Sequence, residues 1–385
     1  MAANVIPTCE SDVADAVADA LRGSVKLAIT GGGSKTGFGR TVDARALPMA
    51  GLAGIVDYDP AELVLTVKPG TLLAEVEALV AASGQMLAFE PFDHGPIYGA
   101  SSGQATIGGV MAAGVSGSQR ISASAARDHL LGFRAVSGRG EIFAAGAKVV
   151  KNVTGYDLPK LAVGSWGRLF AMTELTIKVL PRPRENATRM LIGLDEERAV
   201  AAMARAMGSQ AEVAAAAYIP ASLHNGESAT LLRIQGFGPS VAARCAMLGP
   251  LLADFGTVRI PDAGAADARW TDLHTLASLG TEGMLWRIHV PPSRACEVLT
   301  PPRREQSRFL LDWAGGLIWL VSDEEPAALR TAVAEAGGHA ALVRGSEDHR
   351  ANVPAFHPPA PGVAALEERV RRAFDPAGVF ETGRF

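Results

Sequence analysis

Lys26-Leu27-Ala28-Ile29-Thr30-Gly31-Gly32-Gly33-Ser34-Lys35-Thr36-Gly37-Phe38-Gly39 is the stretch on which the fold turns. A short apolar run reads as a buried strand and passes straight into three glycines. Without Cβ atoms the chain there can turn tightly and bring successive N–H groups close to an anion. Three devices compete for such a loop. A Walker-type phosphate loop needs Gly directly before Lys, but Ser34 stands there, and Ile29 holds the place of the first Gly. A Rossmann fingerprint needs Gly at the first, third and sixth places. Gly31 and Gly33 fit, but Thr36 occupies the sixth. The remaining reading is a glycine-rich turn with no ligand.

A second cluster bears on that choice. Thr106-Ile107-Gly108-Gly109 opens a helical segment, and exposed N–H groups at such an opening favour a phosphate. Two glycine-rich anion sites would suit a diphosphate cofactor. The competing explanation is a tight helix–sheet contact that needs small residues.

Working outward, Ser11 is placed to cap a helix that Gly23 would stop. Strands are expected at 54–58 and 63–67, the second ended by Pro69-Gly70. A helix capped by Thr71 and running through Ala82 would bury Leu72, Val76, Leu79 and Val80. Residues 90–105 are irregular. A hairpin is expected from 132–136 and 141–144, and a long strand over 169–179. Pro181-Arg182-Pro183 then marks a domain boundary. Beyond it, strand-like runs at 190–194, 231–234, 285–290, 317–321 and 341–343 alternate with helical runs at 196–207, 241–255 and 327–336. That alternation predicts a second domain of α/β or α+β type with one sheet. The expected division is 1–183, 184–345 and a C-terminal segment 346–385.

The chain has 385 residues and a net charge of -4, a normal globular balance without the basic stripe of a nucleic-acid binder. The three cysteines, Cys9, Cys245 and Cys296, are too few and too scattered for a disulfide framework or zinc pattern. An iron–sulfur cluster normally takes four thiolates, so none is expected here. The acidic start, with Glu10, Asp12, Asp15 and Asp19, does not read as a secretory signal. No apolar run is long enough to span a bilayer. A cytoplasmic protein is expected, with any membrane association through partners.

The ordered set of motifs resembles the PCMH-type (vanillyl-alcohol oxidase type) FAD-binding domain. The set comprises the loop Gly31–Thr36, the segment 59–70 leading into a helix, and Ala105-Thr106-Ile107-Gly108-Gly109. Ala126-Arg127-Asp128, Gly155-Tyr156-Asp157-Leu158 and Gly164-Ser165-Trp166-Gly167 complete it. The resemblance implies an α+β FAD domain of two subdomains followed by an α/β, ferredoxin-like cap. It implies a pyrophosphate held by Gly31, Gly32, Gly33, Ser34, Lys35, Thr106, Gly108 and Gly109, with Thr36 also at the cofactor. It also places Ala105, Ile107, Ala112, Gly114, Arg127, Asp128, Gly164, Ser165 and Gly167 at the cofactor. Trp166 departs from the family's more usual acidic residue and is assigned no contact. Covalent members of this family often carry a His in the first glycine loop or a Cys later. No His stands in the loop 31–36 and no Cys between Glu90 and Lys178, so the implied FAD is non-covalent.

More narrowly, Lys151–Leu158, the end of the chain 374–384, Trp286-Arg287 and 339–345 resemble the GlcE family of glycolate oxidase subunits. That likeness implies a larger flavin subunit and an iron–sulfur subunit as partners. It further implies glycolate as substrate, and a C-terminal segment that returns to the FAD domain.

Hydroxy-acid oxidation needs a cation for the carboxylate and a base for the hydroxyl proton. Arg287 and His289, two apart on an expected strand, share a face and are the catalytic candidates. The plain alternative is a snorkelling Arg beside a structural His. The eight histidines are scattered and predict no metal site. The His-rich Gly-Asp-Gly-Asn segment of related catalytic flavin subunits is absent. An electron-transfer or structural flavoprotein subunit therefore stays open, as does a stand-alone flavin oxidase.

Overall fold

The computed structural model describes residues 6–146 and 156–385, so 151–155 of the GlcE-like motif lie outside the described residues. The first half centres on a five-stranded antiparallel sheet. Its order is Ile55–Asp59, Val64–Val67, Phe170–Lys178, Leu130–Ser137, Ile142–Gly146. Phe170–Lys178 lies in the middle and is buried nearly throughout, because both faces are covered. On one side Phe170, Met172, Leu175 and Ile177 pack with Ile107, Val110 and Met111 of the helix Ile107–Ala113. On the other, Ala171 joins Val13 and Val17 of the helix Glu10–Gly23.

The N-terminal helix begins one residue before the expected cap. The Asp12 carboxylate accepts the N–H groups of Thr8 and Cys9 at 2.8 and 3.1 Å, fixing the first turn. The second helix runs Leu73–Ala82 and buries Leu73, Val76 and Val80. Leu72, expected on the apolar face, is 41% exposed. The Thr71 hydroxyl donates to the Lys68 carbonyl at 2.8 Å instead of capping, so the helix starts later and its face shifts.

The glycine-loop strand Leu27–Thr30 pairs in parallel with Arg45–Pro48, a short partner that sequence pattern does not reveal.

The second half is a seven-stranded sheet in the order Glu185–Ile192, Ala229–Gly236, Ala215–Ile219, Arg308–Asp312, Leu317–Val321, Leu285–His289, His339–Arg344. All its pairings are antiparallel, so this cap is α+β rather than the α/β alternative. Ala215–Ile219 and Arg308–Asp312 were not anticipated. The alanines of the former resemble helix composition, yet all five of its residues are buried. One face packs on the helices Glu196–Met207, Gly238–Leu251 and Pro326–Glu335. The other face, with Leu285, Leu310, Trp319 and Val343, meets Phe38 and Ile97 of the first half.

Polar contacts fasten the halves together. Ser118 donates to Asp312 at 2.7 Å, Trp313 Nε1 to the Gly117 carbonyl at 3.0 Å, and Arg344 to the Ile97 carbonyl at 2.6 Å. After the helix Pro361–Phe374 the chain returns to the first half. Val379 and Phe380 enter the core beside Val13 and Leu27, and the Leu27 N–H donates to the Val379 carbonyl at 2.8 Å. Among the described residues, no helix is long and apolar enough to cross a membrane.

Candidate active site

The loop after Leu27–Thr30 borders a half-open cleft of about 1120 Å³, counting its solvent-filled mouth. Gly31, Gly32, Gly33, Ser34, Lys35 and Thr36 line it, together with Thr106, Gly108, Gly109, Ala112 and Gly167. Leu27, Ile29, Met49, Phe170 and Met172 give it an apolar wall.

The loop is built backbone against backbone. A Cβ on Gly32 would lie 1.6 Å from the Gln104 carbonyl oxygen, and one on Gly31 would lie 2.3 Å from Thr106 Oγ1. Gln104 is held by Asp93, whose Oδ2 accepts the N–H groups of Gly103, Gln104 and Ala105 at 2.8, 3.1 and 3.3 Å. Gly33 sits at φ +79°, a left-handed conformation that favours glycine. Among the described residues, the N–H groups of Gly32, Gly33, Ser34 and Lys35 donate to no protein acceptor. Backbone donors are rarely left so, and consecutive free N–H groups make an anion nest.

Lys35 adds the charge. Burial pulls its ammonium down to about 8, with Asp93 offsetting part of the effect. Among the described residues its Nζ reaches only Ser34 Oγ, at 3.5 Å. A partly buried cation beside unpaired backbone donors, in the wall of one cleft, fits a diphosphate-bearing cofactor.

The second glycine cluster behaves differently. The N–H groups of Ile107 and Gly108 donate to the carbonyls of Thr71 and Pro69, each at 2.9 Å, and that of Gly109 to Thr106 Oγ1 at 3.3 Å. A Cβ on Gly108 would meet Pro69 Cβ at 2.5 Å. These glycines permit close packing at the cleft wall, the competing explanation from sequence, while their donors are already engaged. Ala105 and Ile107 are core residues and do not line the cleft. Gly114 is the left-handed C-cap of the helix, packed on Gly164. Gly164 and Ser165 stand behind the lining. Arg127 and Asp128 lie on the short helix Ala126–His129, paired with each other at 4.0 Å, and do not reach the cleft.

Several lining residues escaped the sequence reading. Trp166 lines the cleft at φ 55° and stacks on Phe38 at 4.3 Å. The tail from Phe380 to Phe385 forms another wall. Arg384 donates to the carbonyls of Phe38, Lys35 and Thr36 at 2.8, 2.7 and 3.0 Å, tying the tail to the glycine loop. Arg168, also lining, is 3.8 Å from Glu381. The return of the C-terminal segment to the FAD domain was implied by the resemblance, but nothing singled out these residues as lining the cleft.

Arg287 and His289 do not line the cleft. They project from Leu285–His289 on the face turned toward the first half, where Arg287 pairs in register with Trp319 and Ala341. The Arg287 guanidinium lies 5.3 Å from the Trp313 ring and 5.7 Å from that of Trp319. The His289 ring is 5.1 Å from Trp313 and 4.7 Å from His339. Burial, then the charge of Arg120, lowers Arg287 to about 10. Burial and the Arg287 charge push His289 far below its usual value, so it is neutral. His94 connects the two regions: Lys35 and Arg287 both act on it, and its buried Nδ1 has no partner among the described residues. Burial would raise Glu90, but His274, Arg233 and the Gln119 N–H hold it at about 2. Among the described residues no His, Cys, Asp and Glu gather into a metal site.

Residues 1–146 match the FAD binding domain family. Glycolate oxidase subunit GlcE of Escherichia coli (strain K12) is 34% identical over 371 residues, 96% of this chain and 95% of that protein. Glycolate oxidase subunit GlcD of Bacillus subtilis (strain 168) is 30% identical over 207 residues, 53% of this chain but only 41% of GlcD. Among solved structures, p-cresol methylhydroxylase with substrate bound has a TM-score of 0.72 at 14% identity, covering 99% of this chain and 88% of that one. Alkyldihydroxyacetonephosphate synthase gives 0.69 at 16% identity, with 97% and 76% coverage. These two structures establish the PCMH-type fold, and the near full-length match to GlcE establishes the kinship. The chain belongs to the GlcE family of FAD-dependent oxidoreductases.

Proposed function

We propose that this chain is the FAD-binding subunit of a complex that oxidises glycolate to glyoxylate and passes the electrons to an iron–sulfur partner. The observation that carries the reading is the cleft over Gly31–Thr36, with free N–H groups above and Lys35 beside them. Residues 1–183 would hold the FAD without a covalent bond, 184–345 would cap it, and 346–385 would close the cleft through Arg384. Within it, Gly32, Gly33, Ser34 and Lys35 take the diphosphate, and the apolar wall takes the ring. When bound, the flavin supplies the redox chemistry. The chain's own part is to position and to handle charge and protons.

On the substrate side, Arg287 holds the carboxylate and His289 receives the hydroxyl proton. His289 is a weak base while Arg287 is unneutralised. An anion at Arg287 removes that repulsion and strengthens it. The GlcE and GlcD names fit a multi-subunit complex; the partners would be a larger flavin subunit and an iron–sulfur subunit, with any membrane contact made through the assembly.

A second reading has an observation of its own. Arg287 and His289 stand outside the cleft lining, as they would if this subunit carried electrons while a partner met the substrate. Anaerobic addition of glycolate to the FAD-loaded chain alone separates the two. Bleaching of the flavin supports chemistry on this subunit. An unbleached flavin that is reduced only when the partner subunits are added supports the electron-carrier role.

A further inference from the structure

We propose that Arg120 and Arg287, brought from the two halves of the chain onto the ring of Trp313, form a binding site for a small organic carboxylate. The proposal deepens the reading that this subunit meets a hydroxy acid, and rests on it for the ligand's identity.

Arg120 follows the helix Ile107–Ala113 in the first half, whereas Arg287 belongs to the seven-stranded sheet. Their guanidinium carbons lie 4.2 and 5.3 Å from the same indole. Among the described residues, neither guanidinium donates a hydrogen bond or lies within 4.0 Å of a carboxylate; their contacts are the aromatic rings. Structural arginines elsewhere in this molecule behave otherwise. Arg344 donates to the carbonyls of Ile97, Gly280, Glu282 and Gly283, and Arg303 takes both oxygens of Glu324. Stacking on an aromatic ring stabilises a guanidinium but leaves its in-plane donors unused. Two like charges that share one ring repel unless an anion lies between them.

The platform itself is fixed. Trp313 Nε1 donates to the Gly117 carbonyl at 3.0 Å, and its backbone N–H to Asp312 at 2.7 Å. Trp313 and Ala314 both have positive φ, 52° and 56°, a conformation that costs energy in residues with a Cβ. Asp312 offsets part of the effect on Arg287 from a distance, but its carboxylate is engaged by Ser118 at 2.7 Å and forms no ion pair with the guanidinium. The histidines that feel these charges, His94, His289 and His339, are held neutral by burial and by nearby cations, so they do not cancel the positive field. Planar forks of this kind match a carboxylate. The residues come from both halves, so the site exists only when the halves are packed.

The test uses full-length, FAD-loaded protein and oxalate, a planar carboxylate that the enzyme cannot oxidise by this route, followed by calorimetry. Wild type should bind oxalate with saturation. Arg120→Gln and Arg287→Gln should each weaken binding roughly ten- to a hundredfold, while the flavin spectrum and Tm stay near wild type. Arg120→Lys keeps the charge but not the fork, and should bind with intermediate affinity. The exposed Arg205→Gln should bind like wild type.

Unchanged oxalate affinity in both Gln variants would overturn the proposal, as would tighter binding of inorganic phosphate than of oxalate. Glycolate that binds to wild type and not to Arg120→Gln, without bleaching the flavin, upholds the site and sinks oxidation on this subunit. Bleaching by glycolate at the wild-type rate in both variants overturns the site and leaves the oxidation reading intact.

Discussion

Replacing Lys35 by Met should move stability and cofactor binding in opposite directions. In the protein without cofactor, burial lowers the ammonium from its usual 10.5 to about 8. That difference disfavours the charged form by up to about 3 kcal/mol. The sign follows from the lowered folded-state value. Below pH 8 the folded chain carries the full penalty, and between pH 8 and 10.5 the penalty fades as the folded group loses its proton. Met removes it, so the cofactor-free variant should melt higher than wild type at pH 7, with the gap closing toward pH 10. FAD binding should weaken at the same time. A charge-assisted contact to the diphosphate contributes roughly 1.5–3 kcal/mol, about ten- to a hundredfold in Kd. Wild-type affinity should also be level below pH 8 and fall above it, whereas the variant's should not bend there. The assays are thermal unfolding of the cofactor-free protein and FAD titration by quenching of flavin fluorescence. A variant that binds FAD as tightly as wild type, or that melts lower without cofactor, would refute the reasoning.

Three further changes probe the frame around the cleft. Gly32→Ala places a Cβ 1.6 Å from the Gln104 carbonyl oxygen, so the loop must move at a cost of about 1–3 kcal/mol or more; FAD titration should show at least a tenfold loss. Arg384→Met removes the donor to three loop carbonyls. It should cost about 1–3 kcal/mol, read as a lower Tm and a higher FAD Kd, while secondary structure by circular dichroism is retained. Glu90→Gln strips Arg233 of its buried partner between the halves and should cost about 3–5 kcal/mol by urea unfolding. The folded Glu90 value of about 2 lies below the usual 4.5. Its stabilisation is therefore complete above pH 4.5 and lost toward pH 2, and the wild-type advantage should shrink over that window.

What could be read in advance follows local chemistry. Gly31-Gly32-Gly33 announced a backbone that must approach something closely, and the structure shows the Gln104 carbonyl there. Thr106 announced a helix start, and its hydroxyl caps Gly109. Strands such as Leu317–Val321 and Phe170–Lys178 announced themselves as apolar runs. Ala215–Ile219 did not, because buried alanines carry no strand preference and only tertiary packing settles their state. Leu72 was assigned to the buried face because the Thr71 hydroxyl was read as a cap, when it bonds to Lys68. Arg384 over the loop and Arg120 beside Arg287 join residues hundreds or scores of positions apart. No periodicity carries such pairings. The donors of Ile107 and Gly108 were read as open for the same reason: their acceptors, Thr71 and Pro69, arrive from another segment.

The most direct measurement is the absorbance spectrum of the purified chain after incubation with FAD and removal of excess, repeated after denaturation and filtration. The account predicts a bound flavin spectrum near one per chain, with all colour passing into the filtrate. A chain that retains no flavin after reconstitution would contradict it.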